Sequence, residues 1–140
     1  SKEAGEYKIA AFLLEDGIYG RQTSATADWM HNHDNVIRYI DSEYYSNAGK
    51  EQFYGHSVGQ VEAGKTADYV FAWRLDEIWD AGSLNGELYG GCQWDEFVKE
   101  NLHLAVFVST IGTDEKGNQY YYVNNAIDCA VNGKTPYEYR

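Results

Sequence analysis

The sequence predicts an all-β chain: an antiparallel β-sandwich, immunoglobulin-like or jelly-roll-like, of about seven strands joined by long loops. Three observations carry that expectation. Six consecutive apolar residues, Ile9 to Leu14, run into the turn dipeptide Asp16-Gly17. The ten residues Thr66 to Leu75 alternate with period two. The aromatic load is high, with 13 Tyr and 4 Trp against a single Pro and a single Met, a composition that suits pleated strands and that disordered chains lack. A closed barrel carries the same strand signals and stands as the alternative.

Taken in order, Ser1 to Glu6 reads as a linker and residues 7–140 as a single domain, since 140 residues hold one core without help from metals or crosslinks. Tyr7 to Leu14 is apolar on both faces from Ile9 onward, which suits an interior strand, and Ile18-Tyr19 reads as its antiparallel return after the Asp-Gly turn. Thr23 to Asn35 is small and polar around Trp29 and Met30, a loop that feeds a short strand at Val36 to Ile40. Asp41 to Gly55, rich in Ser, Asn, Gly, Glu and Tyr, is expected to be a long excursion with room for a helical turn.

His56 to Ala63 alternates out of phase at Val58 and Val61, so a strand there needs a bulge. In Thr66 to Leu75, Ala67, Tyr69, Phe71, Trp73 and Leu75 fall on one face and Asp68, Val70, Ala72 and Arg74 on the other, which predicts an aromatic wall of the core. Asp76 to Gly91 is turn-rich, and Trp94 to Glu100 suits a short helical turn. Leu102 to Ser109 is a central strand, apolar on both faces in its middle. Thr113 to Gln119 closes a hairpin onto Tyr120 to Val131, where Tyr121, Val123, Asn125, Ile127 and Cys129 are expected to share a face.

The formal charge of -11 and a pI near 4.6 exclude a nucleic-acid footprint, which must be cationic, and disfavour anionic membrane surfaces. No apolar run reaches the roughly 18–20 residues of a membrane helix, so direct membrane insertion by this segment is not expected. No cofactor motif is present. Cys92 and Cys129 fit neither a zinc ribbon nor a redox pair; they form either one disulfide or two buried thiols.

Several groups could carry chemistry. His31 and His33, spaced i, i+2, would share one face of a strand and are candidate metal ligands, with His56, Asp28 or Asp34 as conceivable third donors. The competing expectation is that they bond nearby backbone. The carboxylate pairs Glu15-Asp16, Asp76-Glu77, Asp95-Glu96 and Asp114-Glu115 all fall in predicted turns, and sequence neighbours do not supply the facing carboxyls of a glycosidase. No nucleophile is marked by a local signature, so a non-catalytic domain is expected. The stronger lead is a set of loop aromatics, Tyr44, Tyr45, Tyr54, Trp79, Tyr89 and Trp94, which could stack on sugars or anchor a protein partner.

The run Ile9-Ala10-Ala11-Phe12-Leu13-Leu14-Glu15-Asp16-Gly17-Ile18, then Gln22, His31-Asn32-His33 with Arg38, and the closing Asn101 to Val108 with Val123-Asn124-Asn125-Ala126 resemble the carboxy-terminal part of the twenty-eight-kilodalton outer-membrane protein family. These are exported lipoproteins of Bacteroidetes-type bacteria, in which a lipidated cysteine and a thioredoxin-like domain precede a β-sandwich. The resemblance spans the sandwich and departs at Asp34-Asn35, where apolar residues would follow the His-Asn-His triplet directly. It implies no catalytic residues. It implies an outer-membrane location, periplasmic or cell-surface, through an anchor outside this sequence, with an upstream domain, an envelope protein or a glycan as partner. An exported location would favour the disulfide.

Overall fold

The strand around which the sheet is built is β1 (Gly5–Glu15). The computed structural model describes residues 1–42, 44–47, 50–53, 55–75 and 97–136. β8 (Leu102–Thr113) runs antiparallel along one edge of β1, from Tyr7 opposite Thr110 to Glu15 opposite Leu102. The other edge is shared: β4 (Val36–Asp41) takes Ala11 to Glu15 and β7 (His56–Val61) takes Gly5 to Ile9. β9 (Gln119–Ala130) pairs with β8, giving the order β4-β1-β8-β9 with β7 also on β1. The fold is all-β, antiparallel and sandwich-like, as the alternation predicts.

A strand covered on both faces must be apolar on both, and Ala10, Ala11, Leu13 and Leu14, which alternate between the two faces of β1, are all buried. Leu13 and Leu102 form the centre of the core on one face, with Tyr39, Trp73, Leu75, Phe97 and Leu104 packed around them. On the opposite face the Phe12 and Phe107 rings meet at 5.2 Å.

Several expectations are corrected. β1 begins at Gly5 instead of Tyr7, and Gly5 and Glu6, read as linker, already pair with Val61 and Gln60. β2 (Ile18–Tyr19) does not return on β1; it pairs with β3 (Asn32–His33), reached through a 3-10 turn at Asp28–His31. The reason is local: Asp34 Oδ1 accepts the Gly17 N–H at 3.0 Å and Asp16 Oδ1 accepts the Asn35 N–H at 2.8 Å, closing a separate small ladder. The excursion Asp41 to Gly55 contains a hairpin, β5 (Tyr44–Asn47) against β6 (Lys50–Phe53). Thr66 to Leu75, expected as a strand, has no regular secondary structure up to Arg74 and joins no ladder of the described residues. A 3-10 turn at Lys99–Asn101 falls at the end of the expected helical turn; Asp76 to Gly91 and Trp94 lie outside the described residues.

Bulges decide which face each side chain takes. The predicted bulge in β7 is present: Tyr7 opposes Gly59 and Lys8 opposes Ser57, leaving Val58 as the extra residue. A second, at Arg38, separates the pairs Leu13–Tyr39 and Leu14–Ile37. A third, at Asn124, separates Val108–Asn125 from Ser109–Val123. A one-residue slip inverts the pleat, so Tyr122 and Tyr120, and not Val123 and Tyr121, share the face of Asn125, Ile127 and Cys129. Their rings meet edge to face at 4.7 Å.

The β8–β9 hairpin closes through Asp114. Its Oδ1 accepts the N–H groups of Lys116 and Asn118 at 2.9 and 2.8 Å, and its Oδ2 accepts the Asn118 side-chain amide at 2.9 Å. These donors, the Asn118 side chain first, hold the Asp114 carboxyl below the ordinary aspartate range. A folded-state value below the unfolded one makes this contribution fully present above the unfolded pKa and lost as pH falls through the folded value. Asn118→Ala is expected to move the Asp114 carboxyl titration upward, followed by carbon-detected NMR from pH 2 to about 6.

Candidate functional site

Among the described residues the sandwich is filled at one end and open at the other. Phe97, Trp73 and Leu75 close the end around Leu13. Toward the start of β1 the sheet floor of Ile9, Val108 and Ile127 opens into a cleft of about 1160 Å³, walled by Val58, Val61 and Tyr69 and rimmed by Asn124, Asn125, Asp68, Asp128 and Lys65. Asn124 to Asp128 all line this cleft, beside the bulge at Asn124. Lys2 and Lys65 stand against Glu3, Asp68 and Asp128, so the lining is nearly neutral although the whole chain carries -11.

The Tyr69 wall is held from behind. Its ring stacks on His56 at 5.7 Å and 13°, and His56 Nε2 bonds Asp41 Oδ1 at 2.5 Å. Asp41 Oδ2 accepts the Trp73 indole N–H, and Phe71 lies between the Tyr69 and Trp73 rings at 4.8 and 5.9 Å. This Asp-His pair faces two aromatic rings, and its carboxylate is occupied by two donors, which makes it a brace for the wall.

Other titratable groups are also tied into cross-strand contacts. Glu15, read as half of a solvated carboxylate pair, is fully buried: Arg38 donates to its Oε2 and the Val98 N–H to its Oε1 at 2.8 Å. The bulge at Arg38 turns that side chain toward the carboxylate. His103 lies between Asp128, at 2.8 Å from Nδ1, and Asp16, at 3.3 Å from Nε2. Asp114 sits in its turn as expected.

The premise for a histidine metal pair does not hold. His31 ends the 3-10 turn while His33 is in β3, so the two are not successive residues of one strand face. His31 Nδ1 accepts the Gln22 N–H and His33 Nε2 bonds the Gly20 carbonyl, both at 3.2 Å. His56 is paired with Asp41 and Asp34 with Gly17. Among the described residues no group of three or more His, Cys, Asp or Glu could hold a metal ion.

Of the six aromatics expected in loops, Tyr44 and Tyr45 are in β5, and Tyr54, Trp79, Tyr89 and Trp94 lie outside the described residues. Two of the exposed rings that are described were not singled out by sequence as binding candidates: Tyr19 is 72% and Trp29 71% exposed, on the β2–β3 ladder and its 3-10 turn, with Tyr19 against His31 at 5.7 Å. Their signal was the isolated Trp29 in a polar stretch. Cys129 is a free thiol among the described residues; burial first, and then the Asp128 carboxylate, push its pKa up. Cys92 lies outside the described residues. Comparison with known proteins finds no matching family model, no similar curated protein and no matching solved structure.

Proposed function

We propose that this chain is a non-catalytic interaction module of an exported, outer-membrane-associated lipoprotein, and that its cleft takes a neutral glycan segment. The observation that carries this reading is the near-neutral cleft itself: an apolar floor for the faces of sugar rings, the Tyr69 ring on one wall, and the adjacent amides of Asn124 and Asn125 on the rim. Amide and carboxylate groups at the rim match hydroxyls, whereas sulfated or uronic-acid polymers would meet the chain's overall negative field.

The non-catalytic part is supported by the use already made of the acid and base side chains. Glu15 and Asp41 each accept two donors from neighbouring elements, which leaves them committed to structure. The envelope setting rests on the resemblance. The residues that carry it fall mainly on the adjoining strands β1, β4, β8 and β9, which makes them one framework.

The test is a neutral-glycan array and an outer-membrane extract, each presented to the parent and to a Tyr69→Ala, Asn125→Ala double variant. Glycan binding weakened about five- to thirtyfold in the variant, the loss expected for a central aromatic contact, supports the reading. Retention of an identified envelope protein without any glycan would redirect the site to a protein partner. Retention of neither would leave the module a spacer.

A further inference from the structure

The cleft has a direction, which the strand registers fix. One straight row of facing residues crosses the sheet: His56 in β7 opposes Ile9 in β1, Ile9 opposes Val108 in β8, and Val108 opposes Asn125 in β9. Directly opposed residues of neighbouring strands share a face of the sheet, so the row is a continuous line of side chains on the cleft side. Tyr69 stacks on the His56 ring and therefore stands at the β7 end of the line, whereas Asn125 marks the β9 end. Three strand intervals lie between them, about 14 Å at the ordinary spacing.

That span decides how large the ligand must be. A single pyranose ring cannot touch Tyr69 and Asn125 together, but a chain of about three linked rings, laid at right angles to the strands, covers the distance. The middle of the row selects the kind of ring. The side chains of Ile9 and Val108 offer no hydrogen-bonding group, so a hydroxyl pressed onto them would lose its water and gain no partner. A ring whose hydroxyls are all equatorial turns only C–H bonds toward such a floor and sends its hydroxyls sideways. There the rim holds Asn124, Asp68, Asp128 and Lys65. Equatorial bonds at both linkage positions also keep the chain extended, as a straight row requires.

We infer, resting on the glycan reading above, that the ligand is a linear neutral chain of all-equatorial pyranoses, of the β-1,4-linked glucose type, lying across β7, β1, β8 and β9. One ring stands against Tyr69, the next lies on Ile9 and Val108, and a third places its hydroxyls at the Asn125 amide. Tyr69 and Asn125 then act on different rings, so each contributes to affinity independently of the other.

A length series tests this by calorimetry on the unmodified chain, with β-1,4-linked glucose oligomers from the monosaccharide to the hexamer. Affinity is expected to rise about tenfold or more up to the trimer and to change less than about threefold from the tetramer to the hexamer. β-1,4-linked mannose oligomers keep the linkage but carry an axial hydroxyl on every ring, and should bind at least about fivefold more weakly. For the glucose trimer, the fold losses of Tyr69→Ala and Asn125→Ala should multiply in the double variant, whereas one ring touching both would give less than the product. A monosaccharide bound as tightly as the trimer, or affinity that climbs steadily to the hexamer, overturns the inference and leaves a glycan site standing. So does a preference for the mannose series, or binding of other neutral glycans without the glucose series. If no neutral glycan binds at any length, the glycan reading itself fails and the inference falls with it.

Discussion

Glu15→Ala is expected to cost about 3–5 kcal/mol of folding stability, read by urea unfolding at neutral pH. The Glu15 side chain is 1% exposed and the Arg38 side chain 4%. It also accepts the Val98 N–H, and Arg38 lies over the Phe97 ring at 4.5 Å. Truncation strips a buried guanidinium of its counter-charge and a backbone donor of its acceptor, and both costs are desolvation that folding no longer offsets. Arg38→Met should cost a similar amount, because it leaves the carboxylate buried beside apolar neighbours. The double variant Glu15→Met, Arg38→Met should cost far less than the sum, with a coupling of about 1–3 kcal/mol. A single-variant cost below about 1 kcal/mol would mean that water reaches the pair.

Gly55→Ala is expected to cost about 2–5 kcal/mol, and a second glycine in the same region shows why. Gly55 has φ +79°, and a Cβ there would lie 2.8 Å from the carbonyl carbon and oxygen of Ile9 and 3.0 Å from its nitrogen. Those are atoms of the central strand and cannot swing aside, so backbone strain of about 1–2 kcal/mol adds to an overpacking cost of about 1–3 kcal/mol. Gly59, in the β7 bulge, has φ +84°, and a Cβ there would meet nothing within 4 Å. Gly59→Ala should carry the strain alone, about 1–2 kcal/mol. Parallel urea titrations isolate the contact with Ile9 as the difference. Equal losses would show that β7 shifts away from β1 without penalty.

Both effects arise where distant parts of the chain meet, and that is the line between what could and could not be read in advance. The run Ile9 to Leu14 announces a strand covered on both faces because it is apolar throughout, too short for a typical buried helix, and stopped by Asp16-Gly17. The paired alternations of Leu102 to Ser109 and Tyr120 to Val131, joined by Lys116-Gly117-Asn118, announce a hairpin because turn chemistry and register are set by neighbours. The misfit of Val58 and Val61 announces the β7 bulge for the same reason. These are local properties, and the sequence by itself determined them.

The bulges at Arg38 and Asn124 depend on partner strands, and no residue in either stretch signals them. The first nevertheless turns Arg38 onto Glu15, and the second lies beside the cleft that Asn124 and Asn125 line. Thr66 to Leu75 has a strand's alternation, but alternation specifies which side chains share a face and says nothing of what lies along the backbone edge. Tyr69 was legible as part of an aromatic wall; that it flanks an open cleft follows from the sandwich being filled at the Leu13 end and not at the Ile9 end. A hydrogen-bond ladder and a cleft are relations between segments far apart in sequence, and only the tertiary structure decided them.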